Sequence, residues 1–260
     1  MGNEKIVNIK RISMTYHTLD GETEALRELS FDVEKGEIIA IVGPSGCGKS
    51  TILSIIAGLI EPSSGEVLID GERVSLANKR VGYMFQADHL FQWRTILENV
   101  LIGLEIQNNV TEESIARIEK LLDTYGLGDF KGHYPNQLSG GMRQRVALIR
   151  TLAIEPNLLL LDEPFSALDY QSRLAVSDDI SKIIRSEKKT AVMVTHDIAE
   201  AISMADRVVV LSNRPAIIKS IYNIKLSCGD GEKTPLKCRE APEFRHYFNK
   251  IWKELDVYVK

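Results

Sequence analysis

No stretch of this 260-residue chain approaches eighteen consecutive apolar residues, the least a hydrocarbon span requires, so the chain is not expected to cross a membrane itself. Its most apolar runs, Ile52 to Ala57 and Val208 to Leu211, have the length of core elements. An excess of basic charge is missing too. The 32 Lys and Arg face 36 Asp and Glu, a net charge of -4, which supplies no cationic field to hold a nucleic-acid backbone. Cysteine is scarce: there are 3, too odd a number for complete pairing, and no Cys-x-x-Cys or Cys/His spacing suggests zinc. Cys228 and Cys238, in a polar tail, are therefore expected to be plain thiols in a reducing compartment. The start, Met1-Gly2-Asn3-Glu4-Lys5, lacks the basic-then-apolar pattern of a secretory leader. Repeats and low-complexity segments are absent. What remains is a chain with 44% hydrophobic residues, enough to bury one substantial core.

Residues 5 to 35 read as short strands and turns, with Ile6, Ile9 and Ile12 apolar and Asp20-Gly21 a turn signal, which implies an antiparallel N-terminal sheet. Glu37 to Val42 is a continuous apolar strand. The spacing of Ile52, Ile55, Ile56 and Leu59 predicts a helix over 49–59, broken by Gly58 and Pro62. Strand patterns follow at 65–71 and 81–84, and Thr111 opens a helix to Tyr125. From Leu158 the chain alternates strand (158–162), helix (170–186), strand (191–195), helix (197–204) and strand (207–211), the alternation of a parallel sheet. Residues 90–155 form a helical insertion, the segment after Ser212 is polar, and a last helix runs from Glu243 to Leu255.

The first strand closes on Gly43-Pro44-Ser45-Gly46-Cys47-Gly48-Lys49-Ser50-Thr51, which fits G-x-x-x-x-G-K-[ST]. In such a loop glycines let backbone N–H groups crowd around phosphates, Lys49 neutralises them and Ser50 offers a hydroxyl to Mg²⁺. At average residue usage, a chance match in a chain this long arises about 1% of the time. The helix that follows aims its unpaired N–H groups at the same phosphates. Asp162 and Glu163 end a strand of four leucines, so their carboxylates point to opposite faces at the carboxyl end of the sheet, where ligands of such folds bind. Ser139-Gly140-Gly141 opens a second helix whose N-terminus is receptive to an anion. Spacing alone leaves open whether both helix starts face one nucleotide.

Leu138-Ser139-Gly140-Gly141-Met142-Arg143-Gln144-Arg145, with Leu158 to Pro164, resembles the signature and Walker B elements of the ABC-transporter ATPases, and the likeness spans nearly the whole chain. It implies an α/β fold, a P-loop NTPase (RecA-like) core with an N-terminal antiparallel β subdomain and an inserted α-helical subdomain. The ATPase domain would cover 1–230 (helical subdomain about 90–155) and a short extension 231–260. It further implies that Asp162 holds Mg²⁺, with Ser50 and Gln86, and that Glu163 deprotonates the attacking water. His196, in Thr195-His196-Asp197, would contact the γ-phosphate. Gln86 would meet both metal and water, and Tyr16 would stack on adenine. The other histidines, His17, His89, His133 and His246, match no catalytic position. Ser139, Gly140 and Gly141 would reach the γ-phosphate held by a neighbouring copy in a head-to-tail dimer, with Ser166-Ala167-Leu168-Asp169 crossing the interface.

Trp93-Arg94-Thr95, Leu168 to Arg173 and Leu211-Ser212-Asn213-Arg214-Pro215 are similar to the nitrate/sulfonate/taurine importer branch, although Gln92 stands where those relatives usually have proline. The likeness implies an ATP-hydrolysing subunit on the cytoplasmic face of the membrane, a permease partner, a solute-binding protein, and a cargo such as nitrate, a sulfonate, taurine or a pyrimidine precursor. The alternative, a soluble ABC ATPase acting on ribosomes or DNA, fits poorly: such relatives fuse two cassettes or carry long coiled-coil insertions, and this chain has neither.

Overall fold

A computed structural model describes residues 4–19, 21–75, 80–228 and 234–255 of the chain. Two fourteen-residue strands open it, β1 (Lys5–Thr18) and β2 (Gly21–Glu34), longer than the short strands read from sequence. A register shift between Ile9 and Ile12 explains why the apolar spacing does not alternate: the irregularity returns Ile12 to the buried face of Ile9, and a separate shift between Lys5 and Val7 lets Ile6 and Val7 both be buried. The turn residue Asp20 lies outside the described residues.

β3 (Ile38–Val42) is buried throughout and leads through the phosphate loop into α1 (Lys49–Ile56). That helix stops short of Leu59, which is exposed beyond the left-handed Gly58. β4 (Ser64–Ile69) and β5 (Glu72–Arg73) join the first two strands in an antiparallel sheet of order β2-β1-β4-β5. β6 (Val81–Met84) begins the return to the main sheet.

The insertion holds α2 (Ile96–Ile106), α3 (Glu112–Thr124) and α4 (Gly140–Ala153). Thr95 with Glu98, and Thr111 with Ser114, close capping boxes on the first two. α4 joins the two parts of the molecule, because Val146, Ile149 and Ala153 pack among the insertion helices while Ala147, Leu148 and Leu152 pack against the main sheet.

Next come β7 (Leu158–Asp162), α5 (Tyr170–Ser186), β8 (Thr190–Thr195), α6 (Ile198–Met204) and β9 (Arg207–Leu211), close to the spans the sequence predicts. The main sheet has the order β10-β9-β3-β8-β7-β6, and alternation sorts its two faces: Leu158 and Leu160 lie on the α1 side, Leu159 and Leu161 on the α5 and α6 side.

The polar tail holds more structure than its composition suggests. β10 (Ile218–Asn223) adds an antiparallel edge to the otherwise parallel sheet, its side chains half-buried and exposed in turn. α7 (Pro235–Arg239) and α8 (Phe244–Glu254) then fold back onto the domain, and Ile251 enters the same core as Ile202 and Val208. This return corrects the expectation of free thiols: Cys228 and Cys238 are joined in a disulfide with Cα atoms 4.8 Å apart. The expected boundary between 230 and 231 falls outside the described residues. Among the described residues, no helix is long and apolar enough to cross a membrane.

Candidate nucleotide site

The loop from Gly43 to Gly48 turns the chain from the end of β3 into α1, and two of its glycines hold conformations that side chains resist. Gly46 has φ +72° and Gly48 φ +120°, and a Cβ on Gly48 would come within 2.7 Å of Leu26 Cδ2. Cys47 points away from the loop mouth into the core, where burial pushes its thiol pKa up. Lys49 is buried, and its ammonium donates to the carbonyls of Gly43 (3.0 Å) and Pro44 (3.1 Å), leaving a third N–H free to point elsewhere.

A cavity of about 360 Å³ opens over this loop, lined by Ser45, Gly46, Gly48, Lys49, Ser50, Thr51, Gln86, Glu163 and Arg214. The strand alternation puts Asp162 on the α1 side. Ser50 Oγ donates to its Oδ1 at 3.1 Å, and Tyr83 Oη donates to its Oδ2 at 3.1 Å. Burial raises the Asp162 pKa, opposed by these two hydrogen bonds. Burial, and then the adjacent Asp162 charge, push the Tyr83 phenol well above its ordinary value, so it remains a donor.

Glu163 breaks the strand with φ +45°, a left-handed backbone that only a well-determined surrounding holds in a non-glycine residue. Its N–H bonds Val194 O at 2.9 Å, and Ser166 N–H and Oγ both donate to its carbonyl. The turn aims the carboxylate at the cavity, where Oε2 lies 3.1 Å from His196 Nδ1 and 3.4 Å from Gln86 Nε2. Three residues far apart in sequence thus meet at one oxygen. Tyr16 Oη lies 3.1 Å from Thr51 Oγ1, which holds its partly exposed ring beside the loop.

Ser139, Gly140 and Gly141 do not line this cavity. Ser139 caps α4, its hydroxyl accepting from Met142 N–H. The bare glycines let α4 pack closely, since Cβ atoms there would meet Leu168 Cδ2 at 3.1 Å and Val176 Cγ2 at 2.7 Å. The oxygen donors Ser50 and Asp162, adjoining one another, form a set that suits a hard divalent cation such as Mg²⁺, and Gln86 lies in the same cavity.

Sequence reading passed over several contributors. Arg214 donates through its guanidinium to Gly46 O at 3.1 Å and 2.5 Å, reaching the loop from a position 168 residues away; Asn213-Arg214-Pro215 was its only trace. Arg150 donates to the carbonyls of Asp88 (2.6 Å) and His89 (2.8 Å), and Arg143 Nε to Asp88 Oδ2 (3.0 Å). Both arginines tie α4 to the segment that follows Gln86. Gln92 Nε2 donates to Leu90 O at 3.3 Å, a local hydrogen bond within the same segment.

The ABC transporter family profile matches residues 26–166. YtlC of Bacillus subtilis strain 168, an uncharacterized ABC transporter ATP-binding protein, is 49% identical over 98% of this chain and 97% of its own length. SsuB of Bacillus cereus strain ZK, an aliphatic sulfonates import ATP-binding protein, is 40% identical over 85% of this chain and 86% of its own. The solved dimeric ATP-binding cassette MJ0796, in a post-hydrolysis state with ADP and phosphate, superimposes with a TM-score of 0.71 at 33% identity, covering 84% of this chain and 99% of that one. The chain belongs to the ABC transporter family and is an ATP-hydrolysing cassette.

Proposed function

We propose that this cassette powers the import of a small solute through a separate membrane permease, working as a pair of copies that close head-to-tail on two ATP molecules. The meeting of Glu163, His196 and Gln86 over the phosphate loop supports the reading most strongly. Lys49 and the N-terminus of α1 carry the charge of the β- and γ-phosphates. Glu163 orients a water and takes its proton at Oε, while His196 and Gln86 fix that carboxylate. Ser50, Asp162 and Gln86 would hold Mg²⁺, which neutralises triphosphate charge when bound. Tyr16 offers a face for adenine.

Ser139, Gly140 and Gly141, at the N-terminus of α4 and outside the cavity of their own chain, serve the nucleotide of a second copy in this reading, and a dimeric relative supports that arrangement. Closure of the pair supplies the differential affinity for ATP that a conformational change needs. The arginine links from α4 to Asp88 and His89 give it a route to the exposed Trp93, where the permease would dock. Relatives named for the import of aliphatic sulfonates, taurine and nitrate support a cargo of that kind; a pyrimidine precursor as a further cargo, a solute-binding protein outside and a place on the cytoplasmic membrane face complete the reading.

Two measurements test this. Glu163→Gln, isosteric but unable to take a proton, is expected to lower ATP turnover by about 10²- to 10⁴-fold while retaining ATP and favouring the dimer; unchanged turnover removes Glu163 from its role. Purification from membranes is expected to recover a multi-spanning protein, whereas recovery with ribosomes alone overturns the transport reading.

A further inference from the structure

We infer that Tyr83 is a positioning residue for the nucleotide-bound metal, fixing the Asp162 carboxylate through its hydroxyl. The inference rests on the proposed role of Asp162 as a holder of Mg²⁺.

Tyr83 stands on β6 opposite Leu160 of β7, two residues before Asp162 along that strand. Gly82 and Met84 face the other side, so Tyr83 points toward α1 and packs at the edge of the core that holds Leu158 and Leu160. The ring is long enough to carry its hydroxyl up to Asp162, and it does so at 3.1 Å from Oδ2.

Ser50, on α1, touches Asp162 Oδ1 directly, and Tyr83, on β6, touches Oδ2. Both oxygens of the carboxylate are therefore held, from two different elements, and its plane is set. If the Ser50 hydroxyl turns to a cation, its hydrogen bond to Asp162 is given up, and Tyr83 becomes the side-chain donor that keeps the carboxylate oriented. Groups that orient a ligating carboxylate in this way contribute to metal affinity without touching the metal. The Tyr83 ring also lies 4.6 Å, centroid to centroid, from Phe85, directly before Gln86, so one side chain braces two of the groups proposed around the cation.

Tyr83→Phe keeps the ring and removes only the hydroxyl. The measurement is binding of a fluorescent ADP analogue to the full chain, with excess EDTA and across a Mg²⁺ titration, together with the electron paramagnetic resonance spectrum of Mn²⁺ bound with ADP. The expected result is a rise of about 10-fold in the Mg²⁺ concentration at half effect and an altered Mn²⁺ spectrum, with affinity in EDTA unchanged within about twofold. In an Asp162→Asn background the same substitution is expected to add nothing. An unchanged Mg²⁺ midpoint in Tyr83→Phe, or an equal loss of affinity with and without the metal, overturns the inference while leaving Asp162 its role. Should Asp162→Asn itself leave the Mg²⁺ midpoint unmoved, the reading of Asp162 falls and the inference with it. Tyr83→Met, which fills the space without a hydroxyl, is expected to repeat the phenylalanine result; a normal midpoint in it counts against the hydroxyl.

Discussion

Asn99, near the start of α2, offers a sharp test of how the segment after Gln86 is held in shape. It is fully buried. Its amide oxygen accepts Phe91 N–H at 2.7 Å, and its amide nitrogen lies 3.0, 3.0 and 2.9 Å from the carbonyls of Phe91, Arg94 and Thr95. One side chain thus stands in for the secondary structure that residues 91–95 lack, and it fixes the loop that displays Trp93. Asn99→Leu has similar volume, so the cost is polar rather than a cavity. Two hydrogens on the nitrogen and one accepted N–H make three hydrogen bonds, about 1 kcal/mol each, and stranding Phe91 N–H adds about 1–2 kcal/mol. The sum is about 4–5 kcal/mol, which at roughly 2–4 °C per kcal/mol in a chain of this size corresponds to a fall in Tm of about 8–20 °C. Scanning calorimetry measures it. Asn99→Asp, which keeps the acceptor but turns both donors into an acceptor facing three carbonyls, is expected to lose at least as much. A fall of less than about 2 °C in both variants would refute the reasoning, because it would mean that the 91–95 loop holds its form without this anchor.

Glu200, on α6, is buried and accepts from Thr195 Oγ1 at 2.7 Å. Desolvation holds its carboxyl above the ordinary value of 4.5, so the unfolded chain gives up this proton first and the group's contribution to stability falls as pH rises from there through the raised folded value. Glu200→Gln removes that slope, and its Tm relative to the parent is expected to improve as pH rises above the ordinary carboxyl value; a difference that is flat with pH contradicts it. Reducing the Cys228–Cys238 bond, which spans a sequence separation of 10, is expected to remove about 3 kcal/mol by the loop-entropy relation. That lowers Tm in dithiothreitol but not in a Cys228→Ser, Cys238→Ser chain, and equal sensitivity of both chains to the reductant would discount the bond.

Local rules carried much of this molecule into view. The phosphate loop was legible because its glycines and lysine sit at fixed spacing between an apolar run and a helical one. The facing of Asp162 followed from strand alternation, and the cassette fold from the signature and Walker B segments together. Features made by distant returns of the chain were not legible. A tyrosine in a strand, such as Tyr83, or an arginine in a remote turn, such as Arg214, leaves no periodic mark, since its partner lies tens to hundreds of residues away. β10 was lost because an edge strand exposed on one side reads as polar tail. The disulfide was lost because only the fold of α7 brings Cys238 to Cys228, and no spacing rule encodes that.

The central claim is that the serine-glycine turn of one copy completes the nucleotide site of the other. A structure of Glu163→Gln solved with ATP and Mg²⁺ tests it directly. The account predicts a closed pair in which Ser139 of each copy lies within hydrogen-bonding distance of the γ-phosphate gripped by Lys49 of the other. A closed pair with nucleotide on both phosphate loops and Ser139 far from every γ-phosphate would contradict it.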